Sequence, residues 1–267
     1  MYMDLGEFPS VENLFSLNGR VAMITGAGGG IGRVLGRGLA SAGAAVALCD
    51  VDDFSLTDVQ RELSSRGYRA MGLKLDLSDQ TSVFESVRKV HENFGRLDIL
   101  INCAAINKRE PILEVTQTTF DQIVSVNLRG LFQMSQAAAR LMKESGGGKI
   151  VNIGSLNSEM ALKNVSVYGA TKGAVKQLTM AMALEWANDD IQVNCVIPGF
   201  ISTPLSRPVW EDETKSEWMR GRIAARRPGE PQELLGAVIY LCAPASSYVT
   251  GQSIIVDGGV LAGGTSW

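Results

Sequence analysis

TGAGGGIG, Thr25–Gly32, packs five glycines into eight residues between an apolar run and a helix-like stretch. Glycine at that density means that the backbone turns where a side chain would clash, or approaches something bulky. The apolar run RVAMIT (20–25) leads into it, and the first helical pattern, about 30–43, begins inside it. N–H groups at a helix N-terminus attract a phosphate, and glycine lets that phosphate come close. The spacing is not G-x-G-x-x-G, whose three registers would need glycine where Ile31, Arg33 and Leu35 stand. No Lys-Ser/Thr pair follows, so the loop is not a P-loop either. What fits is T-G-x-x-x-G-x-G on Thr25, Gly26, Gly30 and Gly32.

Beyond the loop, short Val- and Ile-rich runs recur at 44–50, 70–76, 97–103, 149–155, 191–197 and 252–258. They are apolar on both faces, as strands buried in a parallel sheet must be. Helical patterns separate them at about 55–66, 79–94, 116–144, 165–188 and 230–243. Strand–helix alternation of this kind predicts an α/β fold: a doubly wound, seven-stranded parallel sheet with helices on both faces, Rossmann-like, in a single domain. Residues 1–17 read as an N-terminal arm and 18–267 as the domain. An excursion at about 199–229, with prolines, Trp210, Trp218 and dense charge, breaks the rhythm and reads as a substrate lid.

The chain has 267 residues, 45% hydrophobic and 20% charged, with a net charge of −3. That balance gives no footprint for nucleic acid or a membrane surface. No run approaches the length of a spanning helix, and the start does not read as a signal peptide, so a cytoplasmic protein is expected. Cys49, Cys103, Cys195 and Cys242 are too scattered for a metal pattern and read as free thiols; no metal site is expected. His91, the single histidine, lies on a polar helical stretch and is expected to face solvent. Acid–base chemistry must therefore fall to tyrosine, lysine or carboxylates.

Asp50 ends the second strand, 18 residues beyond Gly32, where a carboxylate accepts hydrogen bonds from adenosine ribose hydroxyls. It would repel a 2′-phosphate, and no Arg or Lys occupies 27–29 or 51 to compensate; NAD is favoured, with NADP as the alternative. Tyr168 and Lys172, four apart in YGATK, share a helix face. An ammonium beside a phenol favours the phenolate and makes tyrosine a usable proton donor and acceptor. Ser155 ends the fifth strand, at the sheet end where ligands lie, and without a histidine it suits orienting a substrate oxygen rather than nucleophilic attack. Asn127 stands in a long helical segment that its propensity does not favour.

Taken in order, TGAGGGIG, Asp50, LDLSD with Asp76, NCAA with Asn102, Asn127, NIGS, YGATK and IPGFISTP resemble the landmarks of the short-chain dehydrogenase/reductase family over about residues 18–260. The resemblance implies that Tyr168 is the acid/base, that Lys172 favours its ionised form and bonds the nicotinamide ribose, that Ser155 holds the substrate oxygen and that Asn127 positions a relay water. It places the pyrophosphate on Gly26, Gly29, Gly30, Ile31 and Gly32, the adenine by Asp76 and Leu77, and the adenosine side at Asn102 and Ala104. Pro198, Gly199, Ile201 and Thr203 would close over the nicotinamide. One departure stands out: Asn102-Cys103-Ala104-Ala105 replaces the usual Asn-Asn-Ala-Gly. The family also implies a homotetramer through the long helices, and LAGGTSW, ending in Trp267, could reach a neighbouring subunit.

SLNSE, WEDE, RRPGEPQELLGA and VDGGVLAGG resemble the gluconate 5-dehydrogenase and 2-deoxygluconate dehydrogenase subgroup. An anionic, polyhydroxylated sugar or sugar acid then fits the arginines of the excursion (Arg207, Arg220, Arg222, Arg226, Arg227) and the INKREP loop, where Arg109 is the best candidate for an anion contact. Asn107, Asn157, Ser158 and Glu159 suit a polyol better than an acyl chain. The rival readings are an NADPH-dependent 3-oxoacyl-type reductase, disfavoured by the lack of a cation in the glycine loop, and a non-catalytic NAD-binding regulator, disfavoured by the presence of Asn127, Ser155, Tyr168 and Lys172 together.

Overall fold

Seven runs become seven strands because each is apolar at both parities, so either face can be covered by helices. In the computed structural model, which describes residues 9–204 and 206–263, the strands are β1 Val21–Thr25, β2 Ala45–Asp50, β3 Ala70–Lys74, β4 Ile99–Asn102, β5 Gly148–Ile153, β6 Ile191–Pro198 and β7 Ser253–Val256. They form one parallel sheet in the order β3-β2-β1-β4-β5-β6-β7. The helices are α1 Val11–Phe15, α2 Gly30–Ser41, α3 Asp53–Ser65, α4 Gln80–Phe94, α5 Gln117–Val124, α6 Leu131–Glu144, α7 Ser166–Trp186, α8 Arg207–Glu211, α9 Glu213–Arg222 and α10 Leu235–Cys242.

Alternation along each strand divides the core in two. Ala22, Ile24, Val46, Leu48, Ile99 and Ile101 pack with α2, α3 and α10 on one face. Val21, Met23, Ala47, Leu100 and Ile150 pack with α4, α6 and α7 on the other. The chain runs outward from β1 to β3, then returns to β4 beside β1. Loops leaving β1 and β4 therefore diverge to opposite sides and open a crevice at the strand C-termini.

Two features differ from the sequence pattern. The 116–144 segment is not one α-helix: a π-helical turn, Ser125–Gly130, separates α5 from α6. It carries Asn127 and ends at Gly130, where a Cβ would lie 2.4 Å from the Leu77 carbonyl oxygen. The 199–229 excursion holds α8 and α9, and its neck is pinched shut by Ser202 N–H to Gly229 O (2.7 Å) and Gly229 N–H to Phe200 O (2.9 Å). The end of the N-terminal arm is docked rather than loose, with Leu17 fully buried and bonded to Ala42 O. On the long helices Phe132 and Leu184 stay exposed. Trp267 and the end of the C-terminal segment lie outside the described residues. Among the described residues, no helix is long and apolar enough to cross a membrane.

Asp98 anchors the opposite end of the sheet. Its buried carboxylate accepts from Val21 N–H (2.9 Å), Arg20 (3.0 Å) and Arg96 (2.8 and 2.6 Å), tying the starts of β1 and β4 together. Burial alone would raise this carboxyl, but the Arg96 guanidinium, the Val21 amide and Arg20 outweigh it and hold the group below the usual carboxylate range. A folded value below the unfolded one gives stability that is complete above about pH 4 and lost as pH falls through the folded value. Asp98→Asn should cost about 2 kcal/mol near pH 7. Thermal melts of both proteins should converge as pH drops below about 4; a gap that persists unchanged in acid would contradict the assignment.

Candidate active site

A cavity of about 760 Å³ fills the crevice at the strand C-termini. Its floor is the glycine loop, and two glycines there are required by geometry. Gly26 has φ +72°, and a Cβ would sit 2.8 Å from Ala104 Cα; at Gly32 a Cβ would lie 2.1 Å from the Gly26 carbonyl oxygen. Close approach of Gly32 to Gly26 seats the first turn of α2 on the end of β1. Thr25 completes the floor: its buried hydroxyl accepts from Cys103 N–H (3.0 Å) and Ala104 N–H (3.1 Å), binding the loop after β4 to the loop after β1.

The cradle fits a dinucleotide. Gly29, the residue before α2, has no side-chain cap, so N–H groups of the first turn are left for a ligand. A Cβ at Gly29 would meet no protein atom within 4 Å, although the residue lines the cavity. Gly30, Ile31, Asp76, Leu77, Pro198, Gly199, Ile201 and Thr203 also line it. Asp50 does so while accepting from Gly28 N–H through Oδ2 (2.9 Å) and Asp52 N–H through Oδ1 (3.1 Å). The nearest cation of α2, Arg33, is bound to Asp58 (2.6 Å) and Glu62 (3.4 Å) of α3.

Ser155, Tyr168 and Lys172 reach the same cavity from β5 and α7. Lys172 is 3% exposed, and its ammonium donates to Ile153 O at 2.7 Å and lies 5.7 Å from the Tyr168 ring centroid. Ser155 caps a 3₁₀ turn, Leu156–Ser158, with its Oγ accepting from Asn157 N–H (3.2 Å). A phenol, an ammonium and a serine hydroxyl on one wall can hold an oxygen and exchange a proton with it.

Five expected site residues are not on the cavity wall. Asn102 is buried and turned beneath it, donating to Ser135 Oγ (2.8 Å) and Asn152 Oδ1 (2.9 Å) while Asn152 donates to Thr179 (2.9 Å). Asn127 is 1% exposed; it accepts from Ile106 N–H (2.8 Å) and donates to Ile106 O (2.9 Å) and Thr171 Oγ1 (3.3 Å). Both its side-chain N–H groups are engaged, so its side chain acts as a clamp on the loop after β4. Asn107 and Arg109 are exposed on that loop, which veers toward α7 through Glu110 N–H to Asn164 O (3.0 Å). Asn157 is buried behind Ser155 in the 3₁₀ turn.

Sequence reasoning passed over Thr25 as a site residue, along with Cys49, Val51, Leu75, Cys103 and Val126, all on the wall. Each stands one position from a residue that was picked out, so proximity along the chain was their only signal. The four cysteines are free, and burial pushes the Cys103 thiol up to about 12 despite the pull of Lys172, so it lines the wall as a neutral group. His91 is exposed. Among the described residues, no cluster of His, Cys, Asp or Glu could hold a metal ion.

A sequence profile described as enoyl-(acyl carrier protein) reductase matches residues 26–261. Gluconate 5-dehydrogenase of Gluconobacter oxydans is 41% identical over 251 residues, covering 94% of this chain and 98% of its own. A tropinone reductase homologue of Arabidopsis thaliana is 39% identical, covering 92% of this chain and 77% of its own. Among solved structures, a gluconate 5-dehydrogenase from Burkholderia cenocepacia in complex with NADP and tartrate superposes with a TM-score of 0.92 at 38% identity, over 96% of this chain and all of that one.

The two kinds of glycine are separable by experiment. Gly32→Ala forces a Cβ into the Gly26 carbonyl and should cost about 3 kcal/mol. Gly29→Ala meets no protein atom, and its melting temperature should stay within about 3 °C of the parent. Its dinucleotide Kd, read by calorimetry, should nevertheless rise about tenfold or more. Equal binding by parent and Gly29→Ala would remove the loop from the cofactor site.

Proposed function

Because the chain belongs to the short-chain dehydrogenase/reductase family, we propose that it transfers a hydride between NAD and a secondary alcohol, ketone or hemiacetal of an anionic, polyhydroxylated sugar or sugar acid. The observation that carries this reading is the meeting of Ser155, Tyr168 and Lys172 with the glycine loop on one cavity. A nicotinamide dinucleotide supplies the hydride acceptor or donor when bound. Tyr168 Oη accepts the proton of the substrate hydroxyl in oxidation and returns it in reduction. Ser155 Oγ donates to the substrate oxygen and fixes its position. Lys172 spends one N–H on Ile153 O and keeps two for a ribose hydroxyl and for the Tyr168 side of the cavity. Asn127 holds the Ile106 segment in place, and a relay water at this residue then rests on the backbone of the π-helical turn.

For the substrate class, support comes from the two gluconate 5-dehydrogenase relatives and from the cations beside the site. Among the described residues Arg109 has no ion-pair partner, whereas Lys108 is taken by Glu110 (2.7 Å). In the excursion Arg227 is committed to Glu233, and Arg222 stacks on Trp218 at 4.3 Å. That leaves Arg109, and Arg207, Arg220 or Arg226 on the lid, to meet a carboxylate. Asn107, exposed on the loop after β4, is assigned to its hydroxyls, whereas Asn157, buried behind Ser155, supports that serine through its backbone N–H. With purified protein, NAD-linked turnover should be measurable on aldonates and should fall at least about a thousandfold in Tyr168→Phe. Activity confined to acyl thioesters or cyclic amino ketones would overturn the substrate class, and full activity in Tyr168→Phe would overturn the mechanism.

Preference for NAD rests on this chain's own residues. Asp50 presents a carboxylate where a 2′-phosphate would lie, and Arg33 is held by Asp58 and Glu62. The Burkholderia relative carries NADP, so the contrast is testable directly. NAD should bind at least about tenfold more tightly than NADP, a difference of about 1.4 kcal/mol. Asp50→Ser should narrow that ratio; tighter binding of NADP by the parent protein would reverse the assignment.

A further inference from the structure

One side chain touches both halves of the site without facing the cavity. Ser158 closes the 3₁₀ turn that leaves β5, and its hydroxyl lies between Ser155 and α7. The Ser155 N–H donates to Ser158 Oγ at 3.2 Å, and Ser158 Oγ donates to the Lys172 carbonyl at 2.9 Å. That carbonyl keeps a second lone pair for its own helix. Lys172 is thereby tied to the same short segment twice, by its backbone through Ser158 and by its ammonium through Ile153 O at 2.7 Å. Gly154 makes room for the arrangement, since a Cβ there would stand 3.1 Å from Ser158 Oγ and 2.9 Å from Cys195 Sγ. One turn farther along α7, Lys176 pairs with Glu159 at 2.6 Å.

We propose that Ser158 is a positioning residue, whose hydroxyl fixes the aim of Ser155 Oγ relative to Tyr168 and Lys172. The inference rests on the reading of Ser155 as the residue that holds the substrate oxygen. Ser155 is the cap of the turn and Ser158 its last residue, and the two form a capping box in which Ser158 Oγ holds the Ser155 N–H while Ser155 Oγ accepts from Asn157 N–H, so the backbone that aims Ser155 Oγ is fixed through Ser158. Without the Ser158 hydroxyl, the Ser155 amide loses its acceptor, and the polar ties left between this segment and α7 are Lys172 to Ile153 O and the Glu159–Lys176 pair. That pair is a quarter to a third exposed and holds weakly. A supporting contact of this kind matters because misplacement of a reacting group by about 1 Å can cost a hundredfold in rate.

Ser158→Ala should lower kcat about tenfold, leave the dinucleotide Kd within about twofold, and leave the melting temperature nearly unchanged. Ser158→Thr, which keeps the hydroxyl, should recover most of the loss. In a Ser155→Ala background the same substitution should have no further effect on kcat, because its route runs through Ser155. Independently of any substrate, amide hydrogen exchange at Ser155 should quicken about tenfold in Ser158→Ala. The proposal is overturned by unchanged exchange at Ser155. It is equally overturned by an undiminished kcat, by a full loss in the Ser155→Ala background, or by a loss that follows Kd or the melting temperature. Failure of the underlying reading would look different: Tyr168→Phe would keep its turnover while the exchange result stood.

Discussion

The structure depends on the contact between Gly32 and the carbonyl of Gly26. At this point a helix begins so close to the strand before it that a single methyl would be 2.1 Å from an oxygen. That approach aims the first turn of α2 at the cavity and leaves its amides free. It also decides where Asp50 can act, because the Asp50 carboxylate bonds to Gly28 within the same loop. Thr25 then brings the loop after β4 against this floor. The cofactor end of the cavity is thus assembled from backbone, with one hydroxyl and one carboxylate as fasteners.

The reactive end is assembled in the opposite manner, from side chains held by polar contacts. Lys172 is buried and bonded to Ile153 O, while Asn127 grips Ile106 by its backbone N–H and C=O. Beneath them Asn102, Asn152 and Thr179 form a buried hydrogen-bonded chain from β4 through β5 to α7. Most polar groups this deep are paired, Asn102 Oδ1 being the one in this hydrogen-bonded chain without a partner among the described residues, and pairing makes the arrangement directional. A hydrophobic core alone would set the distance between β5 and α7 but not the orientation of a serine relative to a tyrosine.

Much of the fold was legible in the residues because the two periodicities are strong. Strands apolar at both parities, such as VAMIT and ILIN, announce a doubly covered sheet, and the sheet's C-terminal ends then announce Ser155 and Asp50. The π-helical turn was not legible. Asn127 looked only like a poor helix former, and the turn's close approach at Gly130 is to Leu77, from a different part of the chain. The surroundings of Asn102 were not legible for a related reason. The family resemblance placed it on the adenosine side, and its side-chain amide donates to Ser135 and Asn152 beneath the cavity.

By itself the sequence determined the sheet, the glycine loop that departs from the commoner dinucleotide spacing, and the pairing of Tyr168 with Lys172, because each depends on near neighbours along the chain. Only the tertiary structure decided which polar residues reach the cavity and which support it from behind. Asn102 and Ser158 stand at or just beyond strand ends and Asn127 in the π-helical turn, yet their roles depend on partners 14 to 50 residues away. Hydrogen bonds are directional and short, so an error of one residue in register or one turn in a helix reassigns them. Local pattern cannot carry that information.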